Sequence, residues 1–333
     1  MKILVTGGAG YIGSTIASAL LDSGKIPVIL DSLITGRGEF TEERIFYHGD
    51  IADKEVLKKI FHEHPDISFV IHCAGLIVVP ESVERPYDYY YENVIKSVEL
   101  FRNLHELGCD KFIFSSSASI YDDVPGFMVT EQSPLRPRSP YAKTKYLLEM
   151  ILQDFCMAYH MQGISLRYFN PIGADPRMRS GEYKKDPSHV LGKLVNVALG
   201  REKVFRLTGV NWPTRDGSGI RDFIHVWDLA SAHVHAIENF DRAFENASER
   251  FIAINLGTGK GLTVKELVTA FEKVHGKEIP KEEAPPRPGD VAGSFTNADK
   301  AMELIGWRTV LSIEQGIHDA LKWREIRNTV LKY

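Results

Sequence analysis

The chain has 333 residues, 44% of them hydrophobic and 25% charged, with 40 basic against 44 acidic side chains and a formal charge of −4. That balance excludes the basic footprint of a nucleic-acid binder and the polybasic patch of a membrane-surface protein. Its apolar runs are of strand length, far below the ~20 residues that span a bilayer.

Thr6-Gly-Gly cuts the first apolar run short, so a secretory signal is not expected. Cys73, Cys109 and Cys156 are odd in number and widely spaced, which reads as reduced thiols in a cytoplasmic protein. No metal site is expected. The Asn246-Ala-Ser248 sequon is a chance match on this reading.

The first predicted strand, Ile3–Thr6, runs into Gly7-Gly-Ala-Gly-Tyr-Ile-Gly13 and then a helix over Ile12–Leu21. Glycine tolerates positive φ and lacks a Cβ, so such a turn brings backbone close to a diphosphate. Amides at the positive end of the following helix then hold the anion. The second strand, Val28–Asp31, ends in a carboxylate about 20 residues beyond the glycines, where an adenosine ribose hydroxyl is bound. That carboxylate repels a 2′-phosphate, so NAD is favoured over NADP.

Further strands are predicted at Arg44–Tyr47, Phe69–Cys73, Lys111–Ser115 and Ile164–Tyr168, with helices at Lys54–His62, Tyr89–Leu107 and Tyr141–His160. Strand–helix alternation with nearly continuous apolar strands predicts an α/β fold, a doubly wound parallel (Rossmann) sheet with ligands at the strand carboxyl ends. Residues 1–175 read as a dinucleotide-binding domain. After Asn170 the chain changes texture: a Pro-, Gly- and charge-rich loop over 171–189, a helix near 190–200, a strand near 203–208 and another loop over 212–219. Phe251–Leu256 reads as a strand returning to the main sheet, within a segment of about 222–257. A helix over 263–275 and short helices ending near 328 complete the chain. Residues 176–221 and 258–333 then form a smaller α/β substrate lobe.

Tyr141-Ala-Lys-Thr-Lys145 opens the helix after Ser139-Pro140. Four residues make about one turn, so Tyr141 and Lys145 share a face. A nearby ammonium favours phenolate over phenol and yields a proton acceptor usable near neutrality. Ser117, just past the fifth strand, is placed to orient the same substrate oxygen.

The set Thr6-Gly-Gly-Ala-Gly-Tyr-Ile-Gly13, Asp50-Ile51, Phe112-Ile-Phe-Ser-Ser-Ser-Ala118 and Tyr141-x-x-x-Lys145 resembles the extended short-chain dehydrogenase/reductases. Arg167-Tyr-Phe-Asn-Pro171, Arg221-Asp-Phe-Ile-His-Val-Trp-Asp-Leu229 and Arg287-Pro-Gly-Asp290 narrow the resemblance to the UDP-glucose 4-epimerases and related sugar-nucleotide epimerases. It runs from residue 1 to about 325.

The resemblance implies catalytic roles for Tyr141, Lys145 and Ser117 and an NAD site. Gly7, Gly10, Tyr11, Ile12 and Gly13 take the pyrophosphate; Asp31, Ser32, Thr35 and Gly36 line the adenosine ribose, with Asp50 and Ile51 beside the adenine. Cys73, Ala74, Gly75 and Ile77 run along the middle of the dinucleotide, and Phe169 packs near the nicotinamide, whose ribose Tyr141 and Lys145 also touch. Asn170, Arg221, Arg287 and Asp290 join Ser117 and Tyr141 in holding the nucleotide sugar; paired guanidiniums suit a diphosphate.

Three positions depart from the family pattern: Ile77 replaces a common lysine, Glu92 a common asparagine, and Tyr121-Asp-Asp123 a Tyr-Gly. The implied reaction is inversion at C4 of a UDP-hexose. A sugar-nucleotide 4,6-dehydratase ranks second, because Ser117-Ala-Ser-Ile120 lacks the carboxylate that elimination needs. A decarboxylase or net reductase ranks third, and a non-catalytic NAD sensor last. Ser294, small where some relatives carry tyrosine, leaves room for an N-acetyl group on the sugar. The resemblance also implies a homodimer through the 89–107 and 141–160 helices, although ordinary core packing explains Val94, Val98, Phe101 and Leu104 equally.

Overall fold

Lys2–Thr6, Ile26–Asp31, Ile45–His48, Ile67–His72, Lys111–Ser115, Gln162–Tyr168 and Phe251–Leu256 pair into one sheet in the computed structural model, which describes residues 1–245, 247–286 and 290–332. All neighbours are parallel, and the spatial order is seventh, sixth, fifth, fourth, first, second, third. The period of two explains why helices cover both faces. Ile3 and Val5 join a core with Ile16, Leu20, Leu229 and Ile237, whereas Leu4 joins Leu57, Leu100, Phe101 and Leu152 on the opposite side. All three strand residues are fully buried, and side chains of this kind contribute about 1.5–3 kcal/mol each.

Strand order reverses between the first strand and its neighbours, the second and the fourth. A crevice must open at their carboxyl ends there. A third core, around Leu194, Phe205, Leu267, Phe271 and Ile317, lies within the second half of the chain. There Ile220–Arg221 is flanked by Leu262–Thr263 and Gly293–Thr296, and Asn170–Ile172 pairs with Phe223–His225.

The structure differs from the sequence expectation in several helices, among them an unexpected one over Val226–Glu238 that supplies Leu229 and Ile237 to the core. The expected Tyr89–Leu107 helix is a Pro86–Tyr89 turn, a π-helical turn over Tyr90–Ile95 and an α-helix over Lys96–Glu106. The widened turn holds Asn93, whose amide donates to the Leu76 carbonyl and accepts from the Leu76 N–H, bracing the chain that leaves the fourth strand. The tail is not a set of short helices. It carries a helix over Asp299–Ile305 and an 18-residue helix over Ile313–Val330. That long helix buries Asp319, Arg324 and Arg327 as well as apolar groups, so its sequence lacks a plain apolar stripe. Phe101 and Leu104 are fully buried within their own chain. Among the described residues, no helix is long and apolar enough to cross a membrane.

Candidate active site

The crevice holds a cavity of about 330 Å³. Its wall includes Gly7, Gly10, Tyr11, Ile12 and Gly13, as well as Asp31, Ser32, Thr35, Asp50 and Ile51, Cys73, Ala74, Gly75 and Ile77, and Lys145 and Asn170, whereas Ser117 and Tyr141 are not among its lining residues. Gly7 has φ +71°, and a Cβ on it would stand 2.6 Å from the Ala74 nitrogen; on Gly13 it would stand 2.2 Å from the Gly7 oxygen. Glycine is therefore required at both positions. Gly10 caps the Tyr11–Asp22 helix without a side chain, so first-turn amides are left for a ligand. Asp31 accepts from the Ala9 and Leu33 N–H groups at 3.0 and 2.8 Å, and burial raises its pKa above the usual carboxylate range. Together, the tight glycine cradle, the helix start and the fixed carboxylate fit the pyrophosphate and adenosine ribose of NAD.

Gly36 lies close against Ala9 and the Asp31 carboxylate, outside the cavity lining. Tyr11 donates to the Gly173 carbonyl at 2.7 Å, and burial, then Glu182, holds its phenol well above the ordinary value. Phe169 packs with Ala118, Ile120, Tyr121 and Val129, whereas its neighbour Tyr168 lines the cavity.

Ser139 caps the Pro140–Tyr159 helix by accepting from Ala142 N–H, which sets Tyr141 in the first turn. Tyr141 is 8% exposed. Burial raises its pKa, and a hydrogen bond with the Ser117 hydroxyl opposes the rise. Lys145, one turn on, donates to the Ser115 carbonyl at 2.8 Å and lies over the Phe114 ring. Burial brings its ammonium down to about 8. Here the structure corrects the expected lysine-lowered phenol: burial dominates at Tyr141, because the lysine is directed at a backbone carbonyl.

Arg221 donates through Nη1 to the Ile220 and Ala292 carbonyls and through Nη2 to that of Val291. It thereby ties the chain that follows Asp290. Asp290 is partly buried, and Arg287 lies outside the described residues. Ser294 is paired in register with Arg221.

Several lining residues escape a motif search. Lys96 bridges Asp50 and Glu92 at 2.6 and 2.7 Å; the Glu92–Lys96 spacing of four was the available signal. Glu182, Tyr183, Lys184 and His189 come from the 171–189 loop and close the other wall. Tyr183 shares a side-chain hydrogen bond with Thr35, and loop length was the signal there.

The model of the NAD dependent epimerase/dehydratase family matches residues 3–257. The chain belongs to that family. A relative from Bacillus subtilis (strain 168) named UDP-glucose 4-epimerase is 40% identical over 334 residues, 97% of each chain. Among solved structures, the UDP-glucose-4-epimerase from Stenotrophomonas maltophila with bound NAD and formylated UDP-arabinopyranose superposes with a TM-score of 0.93 at 35% identity over 99% of each chain. That from Bifidobacterium longum in complex with NAD+ and UDP gives 0.90 at 34% identity, also over 99% of each. As a member of the NAD dependent epimerase/dehydratase family, this chain is NAD-dependent, with the doubly wound sheet of its relatives.

Proposed function

We propose that this chain is a UDP-hexose 4-epimerase that interconverts UDP-glucose and UDP-galactose through a 4-keto sugar. The observation that carries this reading is that Tyr141 is hydrogen-bonded to Ser117, just past the fifth strand, while Lys145, one turn on, lines the cavity and donates to the Ser115 carbonyl. Bound NAD supplies the hydride acceptor and donor for C4. Tyr141 takes the proton of the 4-hydroxyl and later returns it, and Ser117 orients that oxygen. Lys145, held on the Ser115 carbonyl and lining the cavity, contacts the nicotinamide ribose. Asn170, Arg221, Arg287 and Asp290 hold the nucleotide diphosphate while the sugar presents its other face.

The dehydratase alternative lacks its extra acid–base pair. The nearest carboxylates after Ser117, those of Asp122 and Asp123, are engaged by Arg138 at 3.0 and 2.8 Å at the surface. We read 1–175 with the returning 222–257 segment as the NAD-binding domain, and 176–221 with 258–333 as the sugar-nucleotide lobe. The protein acts in the cytoplasm as a homodimer on this reading; Tyr91, Ile95, Met150 and Met157 are exposed on or beside the pairing helices and supply apolar surface for it.

Tyr141→Phe tests the function. It should lower kcat for UDP-galactose by about 100-fold or more, as loss of a general base does, while NAD still copurifies. Near-normal turnover in that variant refutes the reading.

A further inference from the structure

Beneath the reacting groups lies a buried polar cluster that the chemistry above does not use. Glu149 follows Lys145 by one helical turn and is 3% exposed. Its Oε1 accepts from the Ser116 hydroxyl at 2.6 Å and the Ser165 hydroxyl at 2.7 Å. Both oxygens accept from Arg167: Nε donates at 3.0 and 3.1 Å, and Nη2 donates to Oε2 at 2.6 Å. Arg167 Nη1 reaches the Tyr121 hydroxyl at 2.9 Å, which in turn donates to Asn255 at 2.7 Å.

Ser116 stands between the two residues that matter most at this strand end. The Ser115 carbonyl receives the Lys145 ammonium, and the Ser117 hydroxyl meets Tyr141. Ser116 N–H continues the ladder onto the Leu166 carbonyl of the adjacent strand and also donates to the Phe114 carbonyl. The side-chain bond from Ser116 to Glu149 joins this strand end to the helix that carries Tyr141 and Lys145.

We propose that Glu149, acting through Ser116, is a positioning residue for the reaction: it registers the 115–117 strand end against the catalytic helix so that Ser117, Tyr141 and Lys145 converge. A buried carboxylate is costly, and its retention with four donor groups is explained by the geometry it imposes rather than by stability. The proposal rests on the reading of Ser117, Tyr141 and Lys145 as the reacting trio.

The cluster contains its own control. Ser116 and Ser165 are both fully buried and give the same carboxylate oxygen a bond of nearly the same length, but Ser165 lies on the next strand, paired with Phe114, and is not part of the 115–117 strand end. Full-length Ser116→Ala and Ser165→Ala proteins, each checked for NAD content and melting temperature, are compared with UDP-galactose as substrate. Small misplacements of reacting groups cost turnover steeply, so Ser116→Ala should lose about 10-fold or more in kcat with KM changed less than about two-fold, while Ser165→Ala keeps kcat within about two-fold. Ser116→Cys, similar in volume and a weaker donor, should fall between wild type and Ser116→Ala, and it serves if the alanine variant does not fold. Equal kcat in the Ser116 and Ser165 variants overturns the positioning role. An active Tyr141→Phe enzyme would instead overturn the trio itself, so the two failures are distinguishable.

Discussion

Replacing Gly13 by alanine is the most informative perturbation of the cofactor turn. The added methyl would stand 2.2 Å from the Gly7 carbonyl oxygen and 2.9 Å from the Gly8 Cα. Real Cβ atoms keep at least 3.0 Å, which leaves the oxygen about 0.8 Å too close. Both obstacles are backbone atoms, and Gly13 lies in the first turn of the Tyr11–Asp22 helix. Relief therefore requires the helix start to move relative to the glycine turn, taking with it the first-turn amides that we propose hold the pyrophosphate. Overpacking of this kind costs about 1–3 kcal/mol. If binding NAD must restore the strained geometry, affinity falls by roughly 10- to 100-fold. The assay is the amount of NAD released per chain when wild type and Gly13→Ala, purified in the same way, are denatured. Gly13→Ala should carry much less than wild type. Equal NAD content in the two proteins would refute the steric argument.

Two other outcomes are expected. Ser294→Tyr places a ring beside Arg221, with which residue 294 is in register; it should lower kcat/KM for UDP-N-acetylglucosamine at least about 10-fold relative to UDP-glucose, a pocket-size effect of about 1.4 kcal/mol, and an unchanged ratio would remove residue 294 from the specificity pocket. Acid should also destabilise the fold through two buried imidazoles, His72 and His233, which burial holds at about 3 and about 4, below the ordinary 6.5. The unfolded chain binds these protons first, so stability is fully present above about pH 6.5 and declines towards pH 4, by about 1.4 kcal/mol per pH unit for each group. Urea unfolding at pH 7 and 4.5 should show a shallower loss in His233→Gln than in wild type, and identical slopes would contradict this account.

Much of the sheet was legible because its strands are apolar on both faces and end at charges, prolines or glycines. Lys111–Ser115 and Phe251–Leu256 match to the residue. Where tertiary contacts override local pattern, reading fails. Asn93 forces a π-helical turn into an apparently regular helix to reach Leu76, and no periodicity announces that. The Ile313–Val330 helix looked fragmentary because Arg324 and Arg327 face inward to hold the Lys184 carbonyl. In the candidate site, motif residues that follow strands were readable since strand ends converge by topology. The wall from Glu182 to His189 was not, because an aperiodic loop gives no hint of which surface it will cover.

The position of Phe251–Leu256 has a consequence for how the molecule is made. Gln162–Tyr168 has its outer hydrogen-bonding edge covered by a segment that begins 83 residues after that strand ends. A ribosome must deliver most of the intervening loops and helices before that edge is sealed, and until then a raw strand, carrying Arg167, faces outward. Nascent or truncated chains ending before residue 251 should therefore self-associate, and a chaperone that shields open sheet edges would find its longest window of demand during synthesis of this stretch.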